Sequence, residues 1–108
     1  MPEGRGLLAS IQMNDHEFVQ WVRAVPDLPS ALRRLREQQS LTLQEVADPA
    51  GVSKAYVARL EYGERVPERD TLIALLLASF SLPVRQANRL LLFAGYAPMH
   101  HKAMAKAA

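Results

Sequence analysis

Apolar residues recur at helical spacing through most of the chain, and their pattern predicts six helices. Phe18, Trp21, Val22 and Val25 stand at i, i+3, i+4 and i+7, one stripe on a helix of about 15–25. Asn14 or Asp15 offers its N-cap and Pro26 ends it. Leu28, Leu32 and Leu35 give the next helix a core face; Asp27, Pro29 or Ser30 opens it, and it runs to about Gln39. Val46 and Ala47 mark the buried side of a helix of under two turns, and Val57 and Leu60 face inward on its successor. Beyond Pro67, a helix opened by Asp70 or Thr71 carries Leu72, Ile73, Leu75, Leu76, Leu77 and Phe80, apolar on nearly every side. A surface helix would show a polar face, so this one needs cover twice. Pro83 begins the last helix, with Val84, Ala87, Leu90, Leu91 and Ala94 inward and Gly95 at its end.

The middle of the chain, LTLQEVADPAGVSKAYVARLEYG at 41–63, holds the most specific local chemistry. Thr42 and Glu45 have the spacing of a capping box, in which each side chain accepts from the other's backbone N–H. Gly51 supplies the positive φ that a tight turn requires and that a Cβ would strain. Ser53 caps the second helix. Two short helices around such a turn form the helix-turn-helix arrangement, whose second helix lies in the DNA major groove. Pro49 cannot donate to the carbonyl of Glu45, so the first of the pair is expected to end by Asp48 or to kink.

These residues resemble the Xre/lambda-repressor-like family of helix-turn-helix domains. Counting from Leu43, the family's small, Gly and apolar positions hold Ala47, Gly51, Val52, Val57 and Leu60, and the flanks LRRLREQQS and GERVPERDTL fit as well. The likeness spans roughly residues 28–97. It implies an all-α, compact five-helix lambda-repressor-like domain at 27–97. An extra N-terminal helix at 15–26, an arm at 1–14 and a tail at 98–108 complete the chain; Met13 is an alternative start. The resemblance also implies that Arg36 pairs with Glu61, tying the first domain helix to the recognition helix. The segment PVRQANRLLLFAGYAP is similar to the close of the DNA-binding half of larger regulators that continue into a sensing domain. Any sensor here is expected to be another molecule or absent.

Composition adds bounds rather than a function. The 108 residues are 49% apolar and lack both cysteine and any 18-residue apolar run. Neither disulfides nor thiolate metal sites are available, and a cytoplasmic, nucleoid-associated location follows as the expectation. No metal or cofactor is expected, with His100 and His101 in a polar tail and His16 far off. The net charge is only +2: residues 1–30 hold two basic and four acidic groups, 31–70 seven of each, and 71–108 four basic ones. The motif is therefore neutral, and what matters is where its cations lie.

On the second motif helix, 100° per residue turns Lys54, Ala55, Ala58, Arg59 and Tyr62 away from Val57 and Leu60. Lys54, Ala55, Ala58 and Arg59 are the candidates for base edges, with Arg59 able to grip guanine in bidentate fashion. Thr42, Gln44, Ser53, Tyr62 and Arg65 are the candidates for phosphates. Leu43 stands where the family usually has Gln, so Gln44 sits 100° round from the usual contact. The expected activity is that of a sequence-specific transcriptional regulator, a repressor acting as a homodimer on an inverted repeat in double-stranded DNA. Phe18, Trp21, Val22, Leu76 and Phe80 are expected either to pack the extra helix onto the domain or to form the dimer surface. The rival reading is a protein-interaction module such as an antitoxin or regulatory co-factor, with its partner bound through the N-terminal helix. An enzyme is not expected: no phosphate loop, nucleophile set or isolated carboxylate pair is present.

Overall fold

The computed structural model describes residues 13–100, and its first four helices each begin where a short polar side chain caps the first turn. Residues 1–12 of the expected arm and 101–108 of the tail, His101 among them, lie outside the described residues. Helix α1 (Asp15–Ala24) opens on a capping box of Asn14 and Glu17, with bonds of 2.8 and 3.1 Å. Asp27 accepts from Ser30 N at 2.9 Å to open α2 (Leu28–Gln38). Thr42 and Glu45 cap α3 (Leu43–Ala50) reciprocally at 2.9 and 3.1 Å. Ser53 accepts from Tyr56 N at 3.0 Å to open α4 (Lys54–Glu61). Helices α5 (Arg69–Ala74) and α6 (Val84–Phe93) start without a side-chain cap. The fold is all-α, and among the described residues it has five helices preceded by a sixth, α1.

The apolar segment after α5 is wider than its spacing predicts. Leu75–Ser79 form a π turn, closed by Phe80 N donating to Leu75 O five residues back at 2.9 Å. Two long-range bonds fasten it. The Ser79 hydroxyl donates to the Val46 carbonyl of α3 at 2.6 Å, and Gln39 Nε2 donates to Phe80 O at 2.9 Å. Ser79 and Phe80 are both buried.

Of the two outcomes expected for α3, an end by Asp48 or a kink, the first does not occur, since the helix runs through Pro49 to Ala50. Pro49 falls in the last turn, where its missing N–H removes one bond, and the closing bonds come from residues beyond it. Gly51, at φ 72°, donates to the Ala47 and Asp48 carbonyls, and Val52 N reaches Ala47 O at 3.2 Å. This left-handed cap satisfies the end of the helix.

The N-terminal stripe packs chiefly on α6, and the 72–80 segment takes most of its cover from α3, with a smaller part from α6. Phe18 is 1% exposed, and a polar clamp beside it holds α1 in place. Arg85 pairs with Asp15, while Gln86, itself buried, donates to Met13 O at 2.9 Å and to Asp15 Oδ1 at 3.2 Å. The Arg85 hydrogen bond, helped by Gln86, holds the Asp15 carboxyl below its ordinary pKa. At the far end, the residues after α6 fold back on the domain. Tyr96 donates to Pro67 O at 2.7 Å, Arg69 reaches the carbonyls of Ala97 and Pro98, and Asn88 bonds Met99.

This packing uses Phe18, Leu76 and Phe80 inside the chain, as the packing alternative has it, and takes them out of any dimer surface. Phe18, Leu76 and Phe80 are at 1, 0 and 1% exposure within one chain, so a partner has no area left to bury on them. Trp21 and Val22 stay half-buried, the Trp21 ring 5.4 Å from that of Phe18.

Candidate nucleic-acid interface

Helices α3 and α4 pack against each other across the Gly51–Ser53 turn, and α4 in turn packs on α2. Val46 and Ala47 on α3 and Val57 and Leu60 on α4 are all within 3% of full burial, fixing which side of α4 faces out. The link to α2 is a two-pronged ion pair. Arg36 Nε donates to Glu61 Oε2 at 2.6 Å and Arg36 Nη2 to Glu61 Oε1 at 3.0 Å. The third nitrogen, Nη1, donates to the Leu41 carbonyl at 3.1 Å. Side-chain exposure is 19% for Arg36 and 8% for Glu61, so the pair works in a partly desolvated setting. Its hydrogen bond to Glu61 raises the Arg36 pKa further above its ordinary value. One guanidinium thus fixes the axis of α4, the end of α2 and the loop that leads into α3.

Residues 28–78, from the start of α2 into the π turn, match a family model described as a helix-turn-helix domain. The match covers 51 of the 108 residues, and over them the chain is similar to that family. No curated protein and no solved structure matches the chain.

The outer face of α4, the second helix of the motif, carries Lys54, Ala55 and Arg59, all exposed, with Ala58 half-buried between them. Tyr62 follows at 77% exposure. Among the described residues neither Lys54 nor Arg59 takes part in an ion pair. Other cations of the motif region are engaged: Arg33 with Glu37 at 3.1 Å, Arg36 with Glu61, and Arg69 on two backbone carbonyls. Of the seven cations that leaves Arg34 on α2, Lys54 and Arg59 on α4, and Arg65 just beyond it, so three of the four outside ion pairs and backbone bonds lie on α4 or beside it.

Thr42 and Ser53 use their oxygens as acceptors in the caps, which leaves each hydroxyl proton available to a phosphate. Gln44 donates one of its two amide hydrogens to Asp48 Oδ1 at 2.7 Å, a carboxylate one turn on. Arg65 lies with its guanidinium carbon 5.4 Å from the centre of the Tyr56 ring. Tyr56 is the site residue that sequence reasoning did not single out. Nothing in the spacing of 56 and 65 brings them together, since the contact depends on how the chain turns after Gly63, at φ 79°. Groups of His, Cys, Asp or Glu able to hold a metal ion are absent among the described residues, and no described helix is long and apolar enough to cross a membrane.

Proposed function

We propose that this chain is a sequence-specific DNA-binding transcriptional regulator of the Xre/lambda-repressor-like kind, reading the major groove with α4. The observation that carries the proposal is the outer face of that helix. Lys54, Ala55 and Arg59 are solvent-exposed and unpaired among the described residues, opposite a fully buried Val57 and Leu60. Arg59 is the base reader, with two parallel donors for guanine O6 and N7. Lys54 stands in the first turn, where a cation opposes the helix dipole, and an anionic group on DNA offsets that. Ala55 and Ala58 allow close approach or touch thymine methyl groups.

Thr42, Ser53, Tyr62 and Arg65 contact phosphates and fix register, and Gln44 joins them through the amide hydrogen that Asp48 does not take. The protein acts in the cytoplasm as a homodimer on an inverted repeat, as a repressor, since one small module gives limited specificity. The rival reading, a protein-interaction module, draws support from the zero net charge of residues 31–70.

Binding to random duplex DNA at several salt concentrations separates the two, because phosphate contacts give a linear fall of log affinity with log salt. Selection from a random pool then supplies the best site. Against it, Arg59→Ala is expected to lose roughly 1–3 kcal/mol and to relax preference at one base pair. Unchanged affinity would remove Arg59 from the reading set.

A further inference from the structure

The cations of the motif region that the fold fixes are held through their N–H groups, with one exception. Arg33 gives one nitrogen to Glu37, Arg36 all three to Glu61 and Leu41, and Arg69 two to the carbonyls of Ala97 and Pro98. Arg65 is held by the face of its guanidinium instead. Its central carbon lies 5.4 Å from the middle of the Tyr56 ring, inside the roughly 6 Å reach of a cation–π contact. Among the described residues Arg65 makes no hydrogen bond or ion pair. Asp27 lines the same surface groove, yet its carboxylate accepts from Ser30 N. The five N–H donors of Arg65 therefore stay free in one plane.

The backbone brings the two residues together from both ends of α4. Ser53 accepts from Tyr56 N at 3.0 Å, and the half-buried Tyr56 ring packs against the core, which makes it a fixed platform on the flank of the helix. At the other end Gly63, at φ 79°, turns the chain, and Glu64 N donates back to Arg59 O at 2.9 Å. Tyr56 and Arg59 stand at i and i+3, on one side of the helix. A chain pinned at Arg59 by Glu64 delivers residue 65 to that side.

We propose that Tyr56 is a positioning residue, which presents the Arg65 guanidinium to a DNA phosphate already ordered and with its donors unspent. This role rests on the DNA reading of α4. Stacking uses the face of the cation, whereas a phosphate oxygen is met by its edge, so the two contacts do not compete. Fixing a rotamer-rich side chain on binding weakens affinity by roughly two- to tenfold, and a side chain fixed beforehand escapes that loss. Because a phosphate contact carries no sequence information, Tyr56 should raise affinity for every duplex alike.

The test is titration of random duplex DNA with the full chain at several salt concentrations, on variants whose far-UV spectra match wild type. Arg65→Ala should weaken binding and lower the slope of log affinity against log salt by about one. Tyr56→Leu should weaken binding by roughly two- to tenfold with the slope kept, because Arg65 still reaches the phosphate from a freely rotating state. Tyr56→Phe keeps the ring and should restore affinity to within about twofold of wild type. In the Arg65→Ala background, Tyr56→Leu should change nothing further, which a tyrosine needed only for folding would not allow. Proton resonances of the Arg65 side chain, displaced upfield by the Tyr56 ring in wild type and not in Tyr56→Leu, check the stack without DNA.

Wild-type affinity in Tyr56→Leu overturns the proposal, as does an undiminished further loss in the Arg65→Ala background. A Tyr56→Phe protein as weak as Tyr56→Leu, an unchanged salt slope in Arg65→Ala, or undisplaced Arg65 resonances in wild type overturn it too. In each of these cases wild type still binds duplex DNA, and the DNA reading stands. A wild-type chain that ignores duplex DNA at every salt concentration removes that reading and this role together, whatever the resonances show.

Discussion

Removing Arg36 is the sharpest probe of how α4 is held. Arg36→Met keeps most of the apolar stem and deletes three directed bonds, two to Glu61 and one to the Leu41 carbonyl. The Glu61 carboxylate, only 8% exposed, is then left without its counter-charge. Breaking a buried pair on one side is worth about 3–5 kcal/mol. Arg36 is itself 19% exposed and water can reach part of the vacated space, so about 2–4 kcal/mol is expected here. For a domain of this size each 1 kcal/mol moves the melting temperature by roughly 4–8 °C, which places the variant at least ~8 °C below wild type.

The reverse change should be milder. Glu61→Gln leaves an acceptor oxygen in place, and Arg36 keeps both Leu41 and partial contact with water, so about 1–2 kcal/mol is expected. Replacing both partners, as Arg36→Met with Glu61→Leu, should regain part of the loss, because no buried charge is stranded. Thermal melts followed by far-UV circular dichroism, together with urea titrations, give all three values. If Arg36→Met melts within about 2 °C of wild type, or if Glu61→Gln is the worse of the two singles, the pair does not carry the α2–α4 contact.

Two further outcomes follow from local geometry. Gly51→Ala meets no atom within 4 Å of its new Cβ, so only the strain of φ 72° acts, and stability should fall by about 1–2 kcal/mol in urea titration; no change would remove the αL requirement. The Asp15 clamp predicts an acid effect. Its carboxyl titrates lower when folded than when unfolded, so the stabilisation is complete above the unfolded value and disappears as pH falls through the folded one. Trp21 fluorescence should therefore report loosening of α1 below about pH 4, and Asp15→Asn should flatten that limb; an identical acid limb in the variant would exclude Asp15 as its source.

What the chain discloses in advance is what its near neighbours decide. The caps at Asn14, Asp27, Thr42 and Ser53, the turn at Gly51 and the inward sets on α3 and α4 all lie within a few residues of their partners. The sequence also shows that 72–80 is apolar all round, which establishes a need for cover. It does not say whether a neighbouring helix or another molecule provides it, because hydrophobicity carries no address. The hydroxyl of Ser79 meeting Val46 and the amide of Gln39 meeting Phe80 join residues 33 and 41 positions apart, and only the assembled fold brings them together. The same holds for Val66 and Phe93. Neither belongs to a periodic stripe that marks it as surface, and each is exposed because of how the ends of α4 and α6 are placed. The DNA-facing set sits between these extremes: its side of α4 is legible from Val57 and Leu60, whereas the stacking of Arg65 on Tyr56 is not.

The wide turn at Leu75–Ser79 bears on how the length of this chain could change. An i→i+5 bond encloses one residue more than the i→i+4 bond of an ordinary helix. Ala78 is exposed within that turn, and the bond from Phe80 N to Leu75 O spans it. Deleting Ala78 would convert that bond into the α type while both of its ends keep their places. Leu75 and Phe80 would stay in the core, and α6 would not be rotated. Elsewhere in a helix, the loss of one residue turns everything downstream by about 100° and carries apolar groups out to solvent. The π turn is thus a seam at which the domain can be one residue longer or shorter and still close, and a relative with one residue fewer here would carry the same core on an unbroken α-helix.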